Sequence, residues 1–134
     1  MSPKPVAIAL TTIVVVATAA IAADPARQAI IDGYAAQANS TPSVGRGKAF
    51  FYATHTGGKP DAASCTSCHG RDPRAGGRTR AGKPIEPLAV SVTPSRFTDP
   101  AKVEKWFGRN CKTVLGRACS AAEKADFIVF MSGQ

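Results

Sequence analysis

The run Cys65-Thr66-Ser67-Cys68-His69 has the C-x-x-C-H spacing of a covalent c-type haem attachment site. Two cysteines three residues apart lie on one face of a helical turn, where their sulfurs can form thioethers with the two vinyl groups of a porphyrin. The adjacent His69 can then place an imidazole nitrogen on the iron as the proximal axial ligand. A bare C-x-x-C also serves zinc and dithiol redox sites. Zinc would have to recruit Cys111 and Cys119, which are spaced more widely than the roughly two to four residues of zinc knuckles. A thioredoxin-like pair needs a βαβ context that the flanking Pro and Gly do not supply. The reading is therefore one haem c, with zinc and dithiol chemistry as the alternatives.

The chain has 134 residues, enough for one small domain. Its first 23 residues combine Lys4, an apolar run from Val6 to Ala23 and an A-x-A site at Ala20-Ile21-Ala22, the features of a secretory signal peptide. Residues 24–134 are then the haem domain, and the protein is expected to be exported and periplasmic. The apolar run approaches the length of a membrane span, so membrane attachment is expected only if the segment is not cleaved. Export places the chain where unpaired cysteines oxidise. With Cys65 and Cys68 assigned to haem, Cys111 and Cys119 remain as an even pair, and a disulfide between them is predicted. Its loop is short, worth roughly 2 to 3 kcal/mol in the chain-entropy model.

The formal net charge is +8, from 17 Lys+Arg and 9 Asp+Glu. Such a surface can steer toward an acidic protein or an anionic small molecule, and a simply solvated basic surface is the equal alternative. No nucleic-acid role is expected, because the basic residues are dispersed among Gly and Pro without interleaved aromatics.

Asp24-Pro25 starts a helix with a capping acid and a proline at its first position. Ala26, Ile30, Tyr34 and Ala38 continue it at intervals of four. Asn39 to Pro42 ends it, and Ser43 caps a second helix running to about Thr54. A loop at Thr56–Pro60 and a short helix at Asp61 lead into the haem motif. From Gly70 to Pro94 no period of 2 or 3.6 is sustained, which predicts a long ordered loop. Its Arg71, Arg74, Arg78, Arg80 and Lys83 are candidates for the haem propionates. Asp99-Pro100 starts another helix, with Val103, Trp106 and Phe107 on its apolar face and Gly108 weakening it near its end. Ser120-Ala121-Ala122-Glu123 is a capping box before a final apolar helix. No stretch alternates convincingly as strand, so the expected class is all-α, with the haem supplying part of the core.

A strong sixth ligand is hard to find. Met1 leaves with the signal, Met131 reads as core filler, and His55, the only other histidine, reads as a surface residue before it reads as a ligand. Taken locally, Asn110 is a helix C-cap.

Gly47 with Phe51 resembles the G-x-x-x-F pattern of class I cytochromes c, in which the helix before the haem motif crosses the C-terminal helix at a glycine. More narrowly, Gly57 to Asp61, Cys65 to Gly70, Arg96 to Asp99, Val103 to Trp106, Gly108-Arg109-Asn110-Cys111 and Gly116-Arg117 with Cys119 resemble the sphaeroides haem protein (SHP) family of high-spin monohaem cytochromes c. The resemblance implies that Asn110 is the distal ligand of ferric haem and moves off on reduction. It further implies that the vacated ferrous site binds O2 or NO, that the Cys111–Cys119 disulfide lies beside that ligand, and that a dihaem cytochrome c donates electrons. The chemistry is coherent, since a neutral amide oxygen is a hard, weak donor that suits ferric iron better than ferrous. Trp106, one turn before Asn110, is a candidate lining residue. Two other classes remain: an ordinary six-coordinate electron-transfer cytochrome c with Asn110 or His55 as a permanent ligand, and an oxygen or nitric oxide reductase or peroxidase. No convincing acid–base pair supports the enzyme.

Overall fold

The structure, a computed structural model, describes residues 23–134. The expected signal peptide, residues 1–23, lies outside the described residues apart from Ala23. Five α-helices are described: α1 (Pro25–Ala38), α2 (Val44–Tyr52), α3 (Thr66–His69), α4 (Pro100–Leu115) and α5 (Ala121–Ser132). A 3-10 turn at Pro60–Ala62 precedes α3. No described helix is long and apolar enough to cross a membrane.

Local signals start each long helix. The Asp24 carboxylate accepts from the Ala26 and Arg27 amides at 2.9 and 3.2 Å, and Ser43, Asp99 and Ser120 cap α2, α4 and α5 through their side chains. The Ser120/Glu123 capping box is complete in both directions. Each cap satisfies amides that the first helical turn leaves without partners.

The helix α5 is the centre of the fold, with Ala125, Asp126, Phe127, Ile128, Phe130 and Met131 all buried. It packs against both α1 and α2. Where α2 crosses it, Gly47 has no room for a side chain: a β-carbon would sit 1.9 Å from the Asp126 carbonyl oxygen. The expected glycine crossing is therefore present. Phe51, one turn on and fully buried, sets its ring against Phe127 and Phe130 at 6.1 and 6.0 Å between centroids. The Asp126 carboxylate reaches back across the crossing to accept from the Ser43 amide and from Arg46. Met131 is fully buried, as its reading as core filler requires.

Two expectations are corrected. The stretch after the haem motif is not wholly irregular: β1 (Gly77–Arg78) and β2 (Pro84–Ile85) form a two-residue antiparallel pair, Gly77 opposite Ile85 and Arg78 opposite Pro84. Strands this short carry no alternation to detect. Second, α4 does not weaken to an end around Gly108. Val103, Phe107, Cys111 and Leu115 form a buried stripe at intervals of four, and burying it outweighs the cost of one glycine, about 1 kcal/mol. The helix ends at Gly116, in the left-handed region at φ 70°. Asn110 is thus in the helix interior and is not a C-cap.

Candidate haem site

The C-x-x-C-H run forms the single turn of α3 with its entry residue, the His69 amide donating to the Cys65 carbonyl at 3.1 Å. Cys65 and Cys68 are unbridged and half-buried. The β1/β2 pair fixes this turn from outside: a β-carbon at Gly77 would meet the Cys68 carbonyl oxygen at 2.2 Å, so glycine lets the hairpin lie directly on the motif.

Burial and the nearby Arg96 charge push the His69 imidazole down to about 4, so it is neutral at pH 7 and has a lone pair to offer a metal. Arg96 is itself held by the Pro87 and Glu86 carbonyls at 3.0 and 2.7 Å. Burial pushes the Cys65 thiol up to about 11. A thiol so reluctant to ionise does not suit dithiol exchange, which proceeds through the thiolate.

Beside Cys65 opens an apolar cleft built by three helices. Phe50 comes from α2, Phe127 from α5, and Phe107, Val114 and Leu115 from α4. Cys111 also borders it, and Asn110 supplies the only amide side chain in its lining. The Asn110 side chain makes no hydrogen bond among the described residues, although its backbone is held within α4. Cys111 is bonded to Cys119 with Cα atoms 5.5 Å apart, so the disulfide forms as expected, one residue from Asn110. On the other side a strap holds the same end of α4. The Lys59 amide donates to the Thr113 carbonyl at 2.8 Å, and Gly57 and Gly58 lie so close to Thr113–Leu115 that β-carbons would come within 2.8 Å of backbone oxygens.

The residues fit a covalently attached haem: two free thiols, an imidazole held neutral beside them in the sequence, and an apolar cleft that Cys65 borders. They do not fit zinc. Among the described residues no three His, Cys, Asp or Glu converge, and the second cysteine pair is consumed in the disulfide.

His55 does not line the cleft. Its Nε2–H donates to the Phe50 carbonyl at 3.0 Å, and its ring rests on that of Phe50 at 5.0 Å, so it buttresses a cleft wall. Trp106 is 49% exposed and is not part of the lining. Of the propionate candidates, Arg80 pairs with Asp61, Arg71 lies 5.6 Å over the Tyr52 ring, and Arg78 donates to the Gly82 carbonyl. The sequence reading missed the aromatic lining. Phe107 was legible as a buried helix position, but Phe50 and Phe127 converge on it only through the α2/α5 crossing.

A small helical domain that carries C-x-x-C-H beside an apolar three-helix cleft is a c-type cytochrome, with one covalently bound haem c. Residues 37–131 match the family described as "Domain of unknown function (DUF1924)". The chain is 52% identical over 120 residues to "Cytochrome c-type protein SHP" of Cereibacter sphaeroides, covering 90% of this chain and 93% of that protein. It is 42% identical over 91 residues to cytochrome c'' of Methylophilus methylotrophus, covering 67% of this chain and 63% of that one. Among solved structures, oxidised SHP, described as an oxygen-binding cytochrome c, superposes with a TM-score of 0.79 at 53% identity, over 81% of this chain and 96% of that one. Oxidised cytochrome c'' of Methylophilus methylotrophus gives 0.69 at 35% identity, over 81% and 94%. The chain belongs to the SHP family of c-type cytochromes.

Proposed function

We propose that this protein is an exported monohaem cytochrome c that accepts electrons and, when reduced, binds O2 or NO at a distal site gated by Asn110. In this reading residues 1–23 are a cleaved signal peptide and 24–134 form the periplasmic haem domain. Cys65 and Cys68 carry the haem by thioethers, His69 is the proximal ligand and Asn110 the distal one. The electron donor is a dihaem cytochrome c. The haem supplies an iron that changes oxidation state and takes a diatomic molecule at whichever axial position the protein leaves open.

The observation that carries the reading is the setting of Asn110. It is the only amide in an otherwise apolar lining that reaches Cys65, on a helix tied down by the Cys111–Cys119 bridge and the Gly57–Lys59 strap. With the backbone fixed on both sides, the gate is rotation of one side chain, without unwinding of α4. Asn110 itself is solvent-exposed, so water can take up a displaced amide, while the aromatic and aliphatic residues of the cleft favour a small apolar guest. The oxygen-binding description of the solved relative supports the gas-binding part of this reading.

Asn110→Ala tests it. The ferric optical spectrum should change and the ferrous protein should keep its response to CO; an unchanged ferric spectrum would remove Asn110 from the iron. Asn110→His should give a low-spin ferrous protein that CO perturbs little. A wild-type ferrous protein already low-spin would favour the ordinary electron carrier.

A further inference from the structure

The helix α4 offers solvent a face that neither the core nor the cleft uses. Lys102, Lys105, Arg109 and Lys112 are all exposed, and at 100° per residue they fall within an arc of about 80°. Trp106, the only tryptophan of the chain, borders this arc and is 49% exposed. Its ring has the Lys105 ammonium at 5.7 Å and the Arg109 guanidinium at 5.4 Å. Among the described residues Lys105, Arg109 and Lys112 form no ion pair with a carboxylate. The acid of the same helix, Glu104, points to the opposite flank, where Lys124 and Tyr34 bind it. Asn110 follows Trp106 by one turn, so the basic face runs up to the edge of the cleft.

A half-exposed tryptophan among unpaired cations is the composition of a protein-contact hot spot with a charged rim. It is a poor membrane surface, because the apolar stripe of α4, Val103 to Leu115, is turned into the core and a membrane-bound helix needs that stripe outward. Single-stranded nucleic acid would require several stacking rings.

We propose that the Lys105–Trp106–Arg109–Lys112 face is the docking surface for an acidic redox protein, whose carboxylates ring an apolar spot that receives the indole. The proposal rests on the cytochrome reading above. One electron leaves the docked partner, which is oxidised, and reduces the haem from ferric to ferrous, arriving on the side where Asn110 stands.

Flavodoxin serves as the acidic probe for the haem-loaded protein. Oxidised flavodoxin, which transfers no electron, should shift the single indole N–H resonance of Trp106. With flavodoxin hydroquinone in stopped flow, Lys105→Glu and Arg109→Glu should each slow the second-order reduction at least threefold at about 20 mM ionic strength, and the double variant at least tenfold. The differences should largely vanish near 0.5 M salt, where the Debye length falls to about 4 Å. Trp106→Ala should slow the reaction at both ionic strengths. Lys48→Glu, the same charge change on α2, should have less than a twofold effect. Equal slowing by Lys48→Glu and Lys105→Glu would overturn the proposal, since net charge alone would then suffice. So would an indole resonance that ignores flavodoxin, or binding to phosphatidylserine vesicles that the charge reversals abolish while flavodoxin rates stay unchanged. A pyridine haemochrome and CO difference spectrum on each sample separates the two levels: absent covalent haem fails the cytochrome reading, whereas normal haem with insensitive rates fails the docking surface alone.

Discussion

Replacing Gly47 with alanine tests the closest helix approach in the fold. The new β-carbon would lie 1.9 Å from the Asp126 carbonyl oxygen and 2.9 Å from Phe130 Cβ, where ordinary contact begins at 3.4 Å. Taking the difference between 3.4 and 1.9, α2 and α5 would have to part by about 1.5 Å at their crossing. The obstacles are helix backbone and the first carbon of a core side chain, which cannot swing aside. Parting loosens Phe51, Ile128, Phe130 and Met131, none more than 2% exposed. Overpacking costs about 1–3 kcal/mol, and rigid neighbours place this site near the top of that range. The better helix propensity of alanine offsets about 1 kcal/mol, leaving a net loss of about 2 kcal/mol or more. Gly33→Ala in α1 is the matched control, because its β-carbon meets nothing within 4 Å; it should be neutral or stabilising by up to about 1 kcal/mol. Urea unfolding of the holoprotein, followed by far-UV circular dichroism, gives both values from the midpoint at constant m. A Gly47→Ala protein as stable as wild type would refute the crossing and the central place of α5.

Replacing Cys111 and Cys119 by serine removes a cross-link with a sequence separation of 8; it should cost about 2.5 kcal/mol in urea unfolding and alter the ferric spectrum, and an unaltered spectrum would leave the bridge with no part in the distal site. Asp126→Asn weakens three hydrogen bonds, from the Ser43 amide and from Arg46 Nε and Nη2 at 2.6, 2.7 and 2.9 Å, at a buried position. It should lose about 1–3 kcal/mol, so an unshifted melting temperature would contradict the geometry. Hydrogen bonds hold two carboxyls below their ordinary value of 4.5, Glu104 through Tyr34 and Lys124 and Glu123 through Arg117. The folded state therefore binds fewer protons than the unfolded one just below that value. Their contribution is complete above about pH 4.5 and is lost as pH falls below it. Arg117→Ala should flatten that acid limb in urea titrations from pH 7 to 3, and an unchanged slope would contradict the Glu123 assignment.

What was legible in the sequence was local. The caps at Asp24, Ser43, Asp99 and Ser120 each act within a few residues of themselves, and C-x-x-C-H carries its chemistry in five consecutive positions. Gly47 was legible only through resemblance, since the carbonyl that excludes its side chain belongs to Asp126, far along the chain. Asn110 misled locally: asparagine favours helix ends, but four buried side chains carry α4 past it to Gly116, where the left-handed turn suits glycine. The cleft was the least legible part, because Phe50, Phe107 and Phe127 each look like ordinary core residues until α2, α4 and α5 are packed together. Trp106 likewise reads as apolar from spacing, but it is 49% exposed because it lies about 60° round the helix from Val103, outside the buried stripe of Val103, Phe107, Cys111 and Leu115.

The most direct test of the account is the optical spectrum of the purified protein, oxidised and then dithionite-reduced, with and without CO. A distal site that opens when Asn110 lets go predicts a high-spin ferrous spectrum that shifts at once on adding CO. A low-spin ferrous spectrum indifferent to CO would mean that a strong ligand stays in place in both oxidation states, and would contradict the gate at Asn110.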